Sequence, residues 1–138
     1  MKRILVASDL SARADRAVER AFDLARRDGA AVMLLYVLDG DLPLSAAEPL
    51  KEAACSELAS LMARLDPNQQ LAVSVRVVAG TPDRVIIEQA KADDSELIVL
   101  GTHRNEASPF PVIGSTMERV LRESPLPVLV AKERVSGS

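Results

Sequence analysis

The feature that most constrains the fold is an alternation of short apolar runs with longer amphipathic segments. An apolar run bounded by turn residues is typical of a buried strand, whereas an apolar position every third or fourth residue is typical of a helix. Some of the runs are nearly continuous Val, Leu and Ile, as expected for parallel strands that are covered on both faces. The runs that qualify as strands are Arg3–Ser8, Ala31–Leu38, Ala72–Ala79, Leu97–Gly101 and Val128–Ala131.

Helices are predicted in all four intervals between these strands. The first spans about Ala12 to Arg27 with Gly29 as its stop, and the fourth spans about Ser115 to Glu123. In the third helix, Thr81 is a suitable cap and Pro82 suits the first helical position. The second helix is indicated by one apolar stripe, which consists of Leu50, Ala54, Leu58, Leu61 and Leu65.

Strict alternation of strands and helices predicts an α/β fold, an open, doubly wound, five-stranded parallel sheet with right-handed crossovers and helices on both faces. The length of 138 residues suits a single domain over residues 1–138. Two long connections without structure of their own are expected, at Gly40–Pro49 and Thr102–Ile113. The second of them is the better candidate for a binding loop.

Charge and composition exclude several classes of partner. The net charge is −3 and no basic stripe is present, so nucleic acid is not an expected partner. Cys55 is the only cysteine, which excludes an internal disulfide and favours a reducing compartment. The apolar run from Ile4 to Ala7 is too short for an export signal, and no stretch approaches the roughly 20 residues that span a bilayer. A cytoplasmic protein without a membrane partner is therefore expected.

Gly101-Thr102-His103-Arg104, followed after nine residues by Gly114-Ser115-Thr116, is the most informative stretch. It lies between the end of a buried strand and the start of a helix, which is where open α/β sheets bind ligands. Backbone N–H groups at such a helix start attract phosphate. However, Ser115 and Glu118 also form the S-x-x-E pattern of a capping box, which explains Ser115 without a ligand. Both interpretations remain open at this stage.

Dedicated catalysis has little support in the sequence. His103 is the only histidine, and with one cysteine it cannot complete a zinc cluster of soft ligands. A hydrolytic triad is not supported, because the serines lack a second candidate for the general base and for the residue that orients it. Neither a P-loop nor a G-x-G-x-x-G fingerprint is present. Asp9 alone is also typical of receiver domains, but the strand Ala72–Ala79 supplies no acceptor aspartate, so that interpretation is rejected. No catalytic residue and no metal ligand are predicted, and any ATP hydrolysis is expected to be slow and incidental.

The spacing of the glycines resembles the signature of the universal stress protein (UspA) family: Gly, two residues, Gly, nine residues, and Gly-Ser or Gly-Thr. Other landmarks of that family follow in the same order and cover essentially the whole chain. They are Ile4-Leu5-Val6-Ala7-Ser8-Asp9, Leu34-Leu35-Tyr36-Val37, Gly80-Thr81-Pro82, Glu118-Arg119-Val120-Leu121-Arg122 and Pro127-Val128-Leu129-Val130.

The resemblance implies the adenine nucleotide alpha hydrolase-like fold with strand order 3-2-1-4-5. It also implies stress-linked cytoplasmic roles, binding of ATP with Mg²⁺ in one branch of the family, and frequent homodimers. In that strand order Val128–Ala131 is an edge strand, apolar and free of proline, and such an edge tends to pair or to be covered. A homodimer formed partly through this strand is expected.

The resemblance also assigns candidate nucleotide-binding residues. Asp9 corresponds to the acidic residue close to the nucleotide, and Val37 to the position whose backbone meets adenine. Gly101 corresponds to the position beside the ribose and phosphates. The full set of expected cofactor-binding residues is Ala7, Asp9, Val37, Gly101, His103, Arg104, Gly114, Ser115 and Thr116.

Two residues depart from the family pattern. Arg104 stands where the second glycine of the signature belongs, and Met117 is bulkier than expected. Arginine forfeits the backbone freedom of glycine but is a strong phosphate donor. The leading hypothesis is therefore a stress-response domain that binds an adenine nucleotide. The alternative is a dimeric interaction protein with a vestigial cleft, and an enzyme of a related nucleotide-binding fold ranks below both.

Overall fold

A computed structural model describes residues 1–9, 12–101, 103–104, 111–112 and 115–131 of the chain. All five predicted strands and all four predicted helices are present within these residues. The elements in chain order are β1 (Arg3–Ser8), α1 (Ala12–Asp28), β2 (Ala31–Asp39), α2 (Leu44–Leu65), β3 (Val73–Gly80), α3 (Pro82–Ala92), β4 (Leu97–Gly101), β5 (His103–Arg104), β6 (Pro111–Val112), α4 (Ser115–Glu123) and β7 (Val128–Ala131).

The main sheet has five parallel strands in the order β3-β2-β1-β4-β7. Because β7 is the fifth strand of this sheet along the chain, the predicted order 3-2-1-4-5 is confirmed. β1 lies at the centre and pairs with β2 on one side and with β4 on the other. The two edges are β3 and β7.

Apolar side chains fill both faces of the sheet. One face packs α1 and α2 against alternate strand residues, such as Val6 and Leu34, and buries Phe22 completely. The other face packs α3 and α4 against the intervening residues, such as Leu5 and Leu35. Full burial of one such side chain contributes about 1.5–3 kcal/mol, so the core on both faces supports the doubly wound arrangement.

The first long connection is shorter than predicted. α2 begins at Leu44, so it contains most of the stretch expected to be irregular, and it includes Pro49. Leu50 was predicted to belong to the core stripe but is 45% exposed, and the buried stripe starts at Ala54. The first turns of α2 therefore extend beyond the sheet, where no burial pattern marks them as helical.

Helix ends agree with the sequence in one case and differ in another. Gly29 ends α1 with a φ of +68°, a left-handed conformation that favours glycine. Thr81 is the N-cap residue of α3, but its side chain makes no capping hydrogen bond, so that part of the prediction is wrong. Pro82 occupies the first turn as predicted. None of the described helices is long and apolar enough to cross a membrane.

Candidate functional site

All five strands of the main sheet end at one edge, here called the carboxyl edge. Because the strands are parallel, their last residues, Ser8, Asp39, Gly80, Gly101 and Ala131, lie on the same side of the sheet. Asp9 follows β1 directly and is exposed, and Gly101 is the last residue of β4. The predicted site residues Asp9, Val37 and Gly101 therefore come together at this edge.

β1 and β4 separate near the carboxyl edge, and this separation is here called the opening. Pairing of β1 with β4 ends at Val6 and Val99, whereas pairing of β1 with β2 continues to Ser8 and Tyr36. β4 itself continues two residues further, to Gly101, in its pairing with β7. The chain also changes faces here, since α1 packs on one face and α4 on the other. This is the topological switch point at which open α/β sheets bind ligands.

The backbone of β2 presents polar groups towards β1. The N–H of Ala31 donates to the carbonyl oxygen of Lys2 in front of β1 (2.8 Å), and the N–H of Val32 donates to Ala72 on the β3 side (2.9 Å). Because successive residues of a strand direct their backbone groups to opposite sides, every second residue from Ala31 to Asp39 faces β1. Val37 and Asp39 belong to that set.

The relative lengths of the strands leave some of these groups beyond the end of β1. β1 ends at Ser8, opposite Tyr36, while β3 accompanies β2 as far as Asp39. The carbonyl of Val37 and the N–H of Asp39 therefore point past the last residue of β1. A carbonyl acceptor and an N–H donor thus stand side by side at the carboxyl edge, on the β1 side of β2.

Two residues of the predicted site, Ala7 and Val37, have their side chains on the face of the sheet that carries α3 and α4. Ala7 and Val37 are half-buried and pack against the apolar cluster that includes Met117. Met117 is buried in this cluster, so its bulk fills the core under α4. This explains the departure of Met117 from the family pattern as a packing feature.

The second long connection contains a short hairpin ladder that the sequence did not predict. β5 pairs antiparallel with β6, with His103 opposite Val112 and Arg104 opposite Pro111. Extended, paired backbone is open to any residue type, so the backbone at Arg104 does not require glycine. Gly114 lies outside the described residues.

The start of α4 differs from the predicted capping box. Ser115 is the first residue of the helix, not the residue before it, and it is exposed. The carboxylate of Glu118 accepts a hydrogen bond from Arg122 one turn further on, instead of turning back towards Ser115. Thr116 is half-buried. The capping-box interpretation is therefore wrong, and the hydroxyl of Ser115 stands at the helix start that faces the carboxyl edge.

Sequence reasoning missed Asp39, whose backbone N–H accompanies the carbonyl of Val37. The side chain of Asp39 accepts a hydrogen bond from the N–H of Asp41 (2.9 Å), which turns the chain away after β2. A turn-forming aspartate two residues after Val37 was a signal for the end of the strand. Asp39 gave no information on where β1 ends relative to β2. That relative position decides what the carbonyl of Val37 and the N–H of Asp39 face.

A groove of about 520 Å³ lies at the opposite edge of the sheet, between the end of α1 and the start of β3. Its lining includes Arg3 and Arg26, and each is paired within the protein, with Asp93 (3.0 Å) and Asp23 (3.2 Å) respectively. The guanidinium of Arg26 also donates to the carbonyl of Leu65 at the end of α2. These arginines tie elements together, and the groove is remote from the predicted site.

Comparison with known proteins identifies the family. The family model described as the universal stress protein family matches residues 1–132. This chain belongs to the universal stress protein family. A universal stress protein of Methanocaldococcus jannaschii is 28% identical, over 96% of this chain and 82% of the relative.

Solved structures agree with the family assignment. The hypothetical protein MJ0577 superposes with a TM-score of 0.81 at 27% identity and covers 98% of both chains. A universal stress protein solved with cAMP gives a TM-score of 0.75 at 22% identity, covering 95% of this chain and 96% of that one. The Archaeoglobus fulgidus universal stress protein solved with dAMP gives 0.71 at 22% identity, covering 96% and 98%. The likeness establishes the fold as adenine nucleotide alpha hydrolase-like.

Proposed function

We propose that this universal stress protein is a regulatory domain that binds an adenine nucleotide at the carboxyl edge of its sheet. The observation that carries the proposal is the pair of backbone groups at Val37 and Asp39, described above from the register of β1, β2 and β3. Two proteins of the same fold have been solved with cAMP and with dAMP, which shows that this fold accommodates adenine nucleotides.

The polarity of the backbone pair matches the base. The amino group of adenine is a donor and the adjacent ring nitrogen is an acceptor, so they complement a carbonyl followed by an N–H. Guanine offers an acceptor oxygen and a ring N–H at the same positions, which is the reverse pattern. Hydrogen bonds left unmade in a desolvated site are costly, so this edge favours adenine over guanine.

The remaining predicted residues suit the sugar and the phosphates. Gly101 ends β4 beside the opening, and Ser115 and Thr116 begin α4, where unpaired backbone N–H groups and the helix dipole attract an anion. Asp9 would lie near the ribose, and Gly114, His103 and Arg104 would approach the phosphates. A magnesium ion would arrive with the triphosphate, because it binds phosphate oxygens and water in preference to an all-protein cage.

We further propose that the protein binds the nucleotide without dedicated turnover, acts in the stress response in the cytoplasm, and forms a homodimer. In the described residues, no group of three or more His, Cys, Asp or Glu side chains is placed to hold a metal ion. β7 is an edge strand of the sheet, which supports pairing between two copies through Val128–Ala131.

Calorimetric titration with ATP, GTP and adenosine tests the proposal. ATP should bind at least about tenfold more tightly than GTP, a difference of about 1.4 kcal/mol. Adenosine should bind measurably, since the base subsite does not need the phosphates. Val37→Ile is the matched control, because it changes the side chain but leaves the backbone groups in place, so the preference for ATP should persist.

Two outcomes would contradict the proposal. Equal binding of ATP and GTP would show that the backbone of β2 does not select the base. Absence of binding by any adenine nucleotide at millimolar ligand would reject the nucleotide function and favour a dimeric interaction protein with a vestigial cleft.

A further inference from the structure

The two halves of the proposed nucleotide site rest on different elements of the same face of the sheet. The base subsite belongs to the end of β2, and the phosphate subsite belongs to the first turn of α4. α3 begins immediately after β3, the strand that pairs with β2 as far as Asp39 and Gly80. The position of α4 relative to α3 therefore sets the distance between the base and phosphate subsites.

A charged pair joins these two helices close to their first turns. Asp83 lies in the first turn of α3 and is 6% exposed. The Nη1 atom of Arg119, in the second turn of α4, lies 4.0 Å from its Oδ1 atom. A carboxylate buried to this extent needs compensation, and the start of α3 and Arg119 both supply it.

Apolar contacts between the same helices fix their general packing. Met117 and Val120 of α4 share one cluster with Val85 and Ile86 of α3. Such contacts stabilise the packing, but they are non-directional, so they tolerate small displacements along the helix axes. The ion pair between Arg119 and the buried carboxylate of Asp83 adds an attraction that favours one position of α4 along α3.

We propose that Asp83 and Arg119 are positioning residues that hold the phosphate-binding start of α4 at the right distance from the base subsite. This inference rests on the nucleotide-binding function proposed above. Neither side chain needs to touch the nucleotide. Breaking the pair should loosen the connection between the subsites and should leave the base subsite itself intact.

The test measures the affinities of ATP and adenosine in the same set of variants. Asp83→Asn and Arg119→Gln should each weaken ATP binding by about fivefold or more, the lower end of typical coupling between sites. Adenosine affinity should stay unchanged within error. The double variant should lose no more than either single variant, because both changes remove the same contact. Arg119→Lys keeps the positive charge and should retain most of the ATP affinity.

A purely electrostatic effect on the phosphates predicts the opposite change in ATP affinity for Asp83→Asn. Loss of the negative charge at Asp83 would then strengthen ATP binding, whereas loss of the positive charge at Arg119 would weaken it. Positioning predicts that both variants weaken it. Stronger ATP binding by Asp83→Asn would therefore overturn the inference.

Arg122→Gln is the matched control. Arg122 lies on the same helix, is exposed and pairs within α4 with Glu118, so this variant makes the same charge change without touching the link to α3. It should leave the ratio of ATP to adenosine affinity unchanged, and an equal loss in this control would overturn the inference. Thermal melting verifies that each variant is folded. If Asp83→Asn does not fold, the 60% exposed Arg119 still provides the test, because a purely electrostatic effect would lower ATP affinity in Arg122→Gln as well as in Arg119→Gln.

The result also separates this inference from the proposed function. A wild-type protein that binds neither ATP nor adenosine rejects the nucleotide function, and the positioning role with it. A wild-type protein that binds both, with variants that keep the same ratio of affinities, rejects the positioning role alone.

Discussion

Gly80, the last residue of β3, is a position where an added methyl group should be poorly tolerated. Its φ is +154°, a conformation that residues with a side chain rarely adopt. A Cβ atom at this position would lie 2.7 Å from the Cγ2 atom of Val85, well inside van der Waals contact. Gly80→Ala therefore combines backbone strain with overpacking at the start of α3.

The expected loss is about 3 kcal/mol in the free energy of unfolding, since strained backbone and overpacking each cost about 1–3 kcal/mol. Urea denaturation followed by circular dichroism measures it. Gly29→Ala is the control for backbone conformation alone, because Gly29 also has a positive φ (+68°) but has no atom within 4 Å of the added Cβ. We expect Gly29→Ala to cost only about 1–2 kcal/mol.

The variant Val85→Ala isolates the steric part. It removes the methyl group that the new Cβ would contact, at a cost of about 2 kcal/mol for the cavity in the core. In the double variant, which carries both Gly80→Ala and Val85→Ala, the loss in free energy of unfolding should be smaller than the sum of the two single losses by at least about 1 kcal/mol. Additive losses, or a loss for Gly80→Ala no greater than for Gly29→Ala, would refute the steric reasoning.

Two further predictions concern ligand binding and assembly. Arg104→Gly should weaken ATP binding by about tenfold and reduce its salt dependence, because a charge-assisted contact to phosphate is lost and the paired backbone of β5 gains nothing from glycine. Calorimetry at two salt concentrations measures this, and tighter ATP binding would mean that the arginine obstructs the site. Light scattering at micromolar protein should give about twice the chain mass of 14.8 kDa, because β7 leaves an apolar edge; the mass of a single chain would contradict the proposed homodimer.

Strands and helices that bury apolar residues were predictable from the sequence. The bounds of β1, β4, α4 and β7 agree with the predictions, because each has an apolar pattern that starts or stops at a polar residue, glycine or proline. The start of α2, in contrast, was not predictable, because no such apolar pattern marks it. Its first buried residue is Ala54, so the preceding turns, up to Pro49 in the predicted connection, lack a burial pattern.

The candidate site was only partly predictable. The family resemblance assigned Asp9, Val37 and Gly101 to one site, and the alternation of strands and helices predicted the parallel strands whose ends bring them to one edge. The hairpin of β5 and β6 has only two pairs, too few to leave a periodic pattern. Asp39 was missed because its contribution depends on β1 ending at Ser8 while β3 continues, and strand register is a property of the assembled sheet.

The backbone pair at Val37 and Asp39 has a consequence for how such sites diverge. A main-chain carbonyl and N–H do not depend on a particular side chain, so substitution at either residue, other than by proline at Asp39, leaves their polarity intact as long as the strand ends in the same place. In the proposed site, drift in side chains can therefore change the phosphate subsite while the base subsite stays the same. Alignments that score residue identity will detect the first kind of change and overlook the constancy of the second.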